Sequence, residues 1–183
     1  KAAMNISDVY YEVWNEPDLF GDFKTYGEKN YLEMYRRSAQ AAQAVNNVQA
    51  FKIGGPATTG MYSAWAEALL KIVEEEDLRF DFISWHRYSL EVTDFKKDVE
   101  KMNEVLSHYP KLALKEKIIS EWGFDSKNNP GYDSKYAAAH MMASITQMVG
   151  QVQKVFLFEI KDGKDPQGKP FWGRWGLLTH EDF

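Results

Sequence analysis

No cysteine occurs in the 183 residues, so the chain has neither a disulfide framework nor a thiolate nucleophile. No apolar run reaches the roughly 18 residues that mark a membrane-spanning helix. The residues after Lys1 also lack the charged start and apolar middle of a signal peptide. Basic residues are in the minority, 22 Lys and Arg against 27 Asp and Glu, and they are scattered among acids rather than gathered on one stripe. A nucleic-acid partner therefore has no electrostatic support, and no membrane partner is expected. The four histidines, His86, His108, His140 and His180, stand far apart with no metal-ligand spacing. Neither a metal nor another cofactor is expected.

What the chain does have is apolar and aromatic side chain. Hydrophobic residues make up 44% and aromatics 15% of it, enough for a packed core and too much for a disordered tail. No linker, low-complexity stretch or long repeat interrupts it. Residues 1–183 read as one domain.

Along the chain a single unit recurs. Val9 to Asn15 is β-branched and aromatic, and after a polar loop Leu32, Tyr35, Ala39 and Ala42 fall on one helical face. "FKIGGPATTG" predicts a short strand broken by Gly54, Gly55 and Pro56, followed by a helix through Trp65, Leu69 and Ile72. "FDFISWHRY" precedes a helix through Phe95, Val99, Met102 and Leu106. "KIISEWG" precedes one through Met141, Ile145, Met148 and Val152, and "KVFLFEI" predicts a last strand.

Strands alternating with helices predict parallel βαβ units, in either an open doubly wound sheet or a (β/α)8 barrel. No loop carries the glycine fingerprint of a nucleotide-binding sheet. Polar groups instead follow several different strands: Asn15 and Glu16, His86 and Tyr88, Glu121. A barrel gathers its site from many strand ends in this way. The predicted fold is α/β, a (β/α)8 TIM barrel, with about five of its eight strands present. Such a piece leaves a sheet edge open, so the missing half of the barrel is expected in the native chain or from a partner.

The strand ends carry the chemistry. Alternation from Glu12 through Trp14 puts Glu16 on one strand face, with Pro17 ending the run; Asn15 joins Glu16 only if the strand twists or bulges there. Glu121 likewise ends an apolar strand before Trp122 and Gly123. Hydrolysis of a glycosidic bond needs such a pair, one carboxyl to protonate the leaving oxygen and one to attack or support the anomeric carbon. Either acid taken singly is as well explained as a solvated loop carboxylate or an ion-pair partner.

His86 and Tyr88 share a strand face with Ser84, placed to bind sugar hydroxyls or to hold a carboxylate; the alternative is a core histidine and a packing tyrosine. His108 and His140 lie on predicted helices and His180 in a terminal loop, and are expected to be structural. Trp122, Trp172 and Trp175 are candidate platforms for the apolar face of a sugar, whereas Trp65 is expected to pack its helix. Glu159 either enters the pocket or pairs with a basic side chain.

At "EVWNEPD", "GGPAT", "DFISWHRY" and "ISEWG", in that order, the chain resembles the retaining glycoside hydrolases of clan A, and among them most resembles family 39. The resemblance implies that these residues form roughly the fourth to eighth strands of a catalytic barrel, its C-terminal portion. It implies that Glu16 is the acid/base, that Asn15 holds the sugar's 2-hydroxyl, and that Glu121 is the nucleophile. His86 and Tyr88 would line the subsite of the cleaved sugar. A β-linked oligo- or polysaccharide is the implied substrate, cleaved by double displacement; secretion is also in keeping with the family. Where the clan often carries a tryptophan after the eighth strand, this chain has Phe158, Glu159 and Ile160, leaving Trp172 or Trp175 to substitute. The alternative from another class is a non-catalytic carbohydrate-binding or inactive barrel fragment.

Overall fold

The computed structural model describes residues 6–169 and 173–178. The elements run β1 (Val9–Glu12), α1 (Tyr31–Ala44), β2 (Phe51–Thr58), α2 (Ser63–Glu75), β3 (Phe82–Tyr88), α3 (Thr93–Ser107), β4 (Glu116–Gly123), a short 3-10 helix (Pro130–Asp133), α4 (Lys135–Met148) and β5 (Lys154–Leu157). The strands form one sheet in the order β1-β2-β3-β4-β5, and β1 with β2 and β2 with β3 are parallel. A doubly wound sheet reverses its strand order at a switch point. This order has no reversal, which is the topology of successive units of a (β/α)8 barrel. Among the described residues no helix is long and apolar enough to cross a membrane.

The chain divides into two compact units, residues 1–86 with 100–118 and residues 87–99 with 119–183. In the first, α1 begins where the Asn30 side chain accepts a hydrogen bond from Leu32 N at 2.9 Å, satisfying a helix N-terminal donor. Its buried stripe is Tyr31, Tyr35, Ala39 and Ala42. The predicted stripe began at Leu32, which is only half-buried. Tyr31 takes the inner place because its hydroxyl reaches Val13 O at 3.0 Å, as that of Tyr35 reaches Arg79 O at 3.0 Å. Burial pushes the phenol of Tyr31 well above its ordinary pKa, so it stays a donor. Helix α2 buries Ala66, Leu69, Leu70 and Val73, one step round from the predicted face, and Trp65 packs on Tyr31 with ring centroids 5.6 Å apart.

Strand β2 is not broken by its glycines, contrary to the sequence reading: it runs unbroken from Phe51 to Thr58. Glycine is required there by close approach. A Cβ on Gly54 would stand 2.1 Å from Phe82 O, and one on Gly55 2.5 Å from the Tyr31 hydroxyl. The irregularity falls later, at a shift of register between Pro56 and Thr58, where Ala57 takes φ +53°. At the opposite, amino-terminal ends of the strands, Tyr10 donates to Glu116 at 2.9 Å and Lys52 bonds both Tyr10 and Glu116.

In the second unit Trp122, Phe95, His140 and Phe124 form an aromatic core, with centroid distances of 5.6 Å for Phe95–Trp122 and 4.9 Å for Phe124–His140. Phe95, Val99, Met102 and Leu106, the predicted stripe of α3, are all buried. Helix α4 is capped by Ser134, whose side chain accepts from Tyr136 N at 3.2 Å, and ends at Met148, so Val152 lies beyond it. Arg87, on the face of β3 away from His86 and Tyr88, pairs with buried Asp98. Ser89 N donates to Gly123 O at 3.3 Å and Phe158 N to Trp122 O at 2.9 Å, which ties the carboxyl-terminal ends of β3, β4 and β5 together.

Candidate functional site

In the first unit the site is built on Glu16. Strand alternation does not place it: β1 ends at Glu12, and the backbone then turns left-handed at Trp14 (φ +70°) and Glu16 (φ +45°). Alternation predicts Trp14 and Glu16 on one strand face. Instead Trp14 is 49% exposed, its indole N–H donating to Phe20 O at 2.8 Å, while Glu16 is 9% exposed. The cause is the loss of the extended conformation that alternation assumes. Pro17 follows the strand end rather than making it. Asn15 is exposed at this turn, a position open to a ligand.

The Glu16 backbone N–H donates to Ala57 O at 2.9 Å, and its carboxylate meets His86 Nδ1 at 2.8 Å. His86, on β3, is 1% exposed, and Ser84 two residues before it is fully buried. The histidine is thus more than a packed core residue. It fixes one of the two carboxylate oxygens, Oε1.

In the second unit the corresponding acid is Glu121, half-buried near the end of β4. The Tyr88 hydroxyl donates to Glu121 Oε1 at 2.5 Å. Gly123 makes room for it: a Cβ there would lie 2.7 Å from Tyr88 Cε1 and 2.9 Å from the Tyr132 hydroxyl. That hydroxyl in turn donates to Asp125 O at 2.7 Å and accepts from Asp125 N at 2.8 Å, fixing the loop after β4. Of the alternatives for the tyrosine, holding a carboxylate is the one observed.

The aromatic platforms divide. Trp122 is 2% exposed and packs edge-on against Phe95, so it cannot stack on a sugar. Period-two alternation puts it on the face opposite Glu121, toward the helices, so it is not the platform expected from its place beside that acid. Trp175 is half-buried beside Phe158 at 5.7 Å, with its N–H donating to Asp125 O at 3.1 Å. Trp172 and His180 lie outside the described residues. Glu159 comes after β5 has ended at Leu157; burial, and then Asp162, raise its carboxyl above the ordinary carboxylate range. His140 is buried on α4, and burial lowers its imidazole pKa. Asp18, which binds Thr59 through both carboxylate oxygens, is not foreseeable from the residues alone: "NEPD" and "PATT" are far apart and only the fold joins them.

The family model for glycosyl hydrolases family 39 matches residues 3–181. Among curated proteins, a β-xylosidase of Geobacillus stearothermophilus is 33% identical over 193 residues, covering 92% of this chain and 37% of its own. A β-xylosidase of Caldicellulosiruptor saccharolyticus is 26% identical over 190 residues, covering 95% of this chain and 38% of its own. Among solved structures, a GH39 β-xylosidase from Caulobacter crescentus has a TM-score of 0.74 at 26% identity, over 93% of this chain and 38% of that one. The chain spans less than two fifths of the length of each of these relatives.

Proposed function

Because the chain belongs to the glycosyl hydrolases of family 39, we propose that it carries the working carboxylates of a retaining glycosidase acting on β-linked oligo- or polysaccharides. The observation that carries this reading is that each acid has its own side-chain partner, His86 for Glu16 and Tyr88 for Glu121. A solvated loop carboxylate needs no such partner.

In the first step the Glu121 carboxylate attacks the anomeric carbon as the glycosidic C–O bond breaks, and protonated Glu16 gives its proton to the leaving oxygen. In the second, ionised Glu16 takes a proton from water, whose oxygen attacks the same carbon and frees Glu121. Two inversions give net retention. The Tyr88 hydroxyl holds Glu121 Oε1, so attack falls to Oε2; His86 holds Oε1 of Glu16. Asn15 is assigned to the 2-hydroxyl of the sugar, and Trp175 to the rim. The names of the two curated relatives support a β-xyloside as the substrate.

Residues 1–183 are read as the later part of the catalytic barrel, completed by further strands from the same chain or a partner. The outer side of β1 supports this. Tyr11 is 46% exposed there, a groove of about 430 Å³ runs between β1 and α1, and Glu12 Oε1 is buried without a hydrogen-bond partner.

Hydrolysis of 2,4-dinitrophenyl β-D-xyloside by the full-length protein, with the anomer formed first followed by NMR, tests the reading. The β-anomer is expected. Glu121→Gln should abolish formation of the glycosyl-enzyme, whereas Glu16→Gln should keep it on this activated substrate, whose phenolate leaves without a proton. Full activity in both variants, first formation of the α-anomer, or calorimetric binding of xylo-oligosaccharide with no turnover would each defeat it.

A further inference from the structure

The loop that carries Glu16 is fastened to the next loop by a carboxylate two residues on. Asp18 Oδ1 accepts from Thr59 N at 3.0 Å, and Oδ2 accepts from the Thr59 hydroxyl at 2.5 Å. That hydroxyl's proton is committed to Asp18, so the 3.0 Å contact between Thr59 Oγ1 and the Tyr62 hydroxyl is donated by the phenol. The relay runs from Tyr62 through Thr59 to Asp18. Tyr62 is 47% exposed, while Asp18 and Thr59 are half-buried.

This clip sits beside strained main chain. Glu16 at φ +45° and Ala57 at φ +53° both occupy the left-handed region, which residues bearing a Cβ avoid. Such conformations persist where the surroundings over-determine them. Glu16 N is tied to Ala57 O at 2.9 Å, and Glu16 O accepts from Leu19 N at 2.9 Å and Phe20 N at 2.7 Å. The Asp18–Thr59 bonds join the same two segments one step further along. The direction of the Glu16 side chain follows from its backbone angles, so its aim depends on the joint between these segments as well as on His86.

We propose that Asp18 is a positioning residue for Glu16: by gripping the N–H and hydroxyl of Thr59, it locks the loop after β1 onto the loop after β2 and keeps the Glu16 carboxyl at the leaving-group oxygen. The inference rests on the assignment of Glu16 as acid/base. Asp18 touches no reacting atom, and its contribution is geometric. A proton donor displaced by about 1 Å loses on the order of a hundredfold in rate.

The test uses leaving groups that differ in their need for a proton. In the full-length enzyme, kcat/KM is measured on 2,4-dinitrophenyl and on phenyl β-D-xyloside for the parent, Asp18→Ala, Asp18→Asn, Thr59→Val and Glu16→Gln. Asp18→Ala should lose about 10- to 100-fold on the phenyl xyloside and less than about threefold on the dinitrophenyl one, which needs no acid. Asp18→Asn keeps an acceptor for Thr59 N–H and should recover most of the loss. Thr59→Val, which loses the hydroxyl alone, should fall between; it also gives the same discrimination should Asp18→Ala fail to fold. Equal losses on both substrates, or none on either, would reduce Asp18 to a structural residue and overturn the proposal. A Glu16→Gln enzyme slowed alike on both would remove the acid/base assignment and the positioning role together. Selectivity in Glu16→Gln without selectivity in Asp18→Ala would remove the positioning role alone.

Discussion

The imidazole Nδ1 of His86 lies 2.8 Å from Oε1 of Glu16, with the histidine side chain 1% and the glutamate side chain 11% exposed. A carboxyl so enclosed depends on its partner. His86→Ala should cost about 2–4 kcal/mol of stability through the cavity and the unpaired acid it leaves. Urea unfolding of parent and variant measures this; a change of less than about 1 kcal/mol, the size expected of an exposed pair, would mean the contact is dispensable.

Tyr88→Phe deletes one hydroxyl and keeps the ring. A hydrogen bond to a charged group is worth about 1.5–3 kcal/mol, so kcat/KM should fall about 10- to 100-fold. The fold should be intact by circular dichroism, and unchanged kinetics would show that Glu121 does not need the phenol.

Gly123→Ala inserts a methyl 2.7 Å from the Tyr88 ring and 2.9 Å from the Tyr132 hydroxyl. Overpacking of this kind costs about 1–3 kcal/mol. Thermal denaturation should show a lower Tm, together with loss of activity as Tyr88 is pushed from Glu121.

Burial lowers the pKa of His140, so folding favours its neutral form. The stability tied to that preference is whole above the unfolded value near 6.5 and is lost as pH falls through the lowered value. Urea midpoints at pH 8 and pH 5 should differ more for the parent than for His140→Phe. An identical pH dependence in the two proteins would contradict the assignment.

Several of these residues were legible in the sequence, and others were not, for physical reasons. The stripe Phe95, Val99, Met102 and Leu106 follows from helical period alone, and it is buried throughout. His86 and Tyr88 follow from period two on a strand that stays extended to Tyr88. Alternation failed at Trp14 and Glu16 because left-handed backbone cannot be read from residues that seldom adopt it. The glycines of β2 looked like breaks because their cause, the Phe82 carbonyl and the Tyr31 hydroxyl, comes from other elements. Trp122, expected at the mouth, lies within β4, where alternation turns it to the face opposite Glu121.

Both partners of the two acids come from β3, two residues apart on one side of the strand. A slide of that strand by a single residue would bring Trp85 and Arg87 to the positions of the imidazole and the phenol, stripping both carboxylates at once. The strand is therefore a common yoke. An insertion or deletion between Phe82 and Tyr88 should be among the least tolerated changes in the molecule.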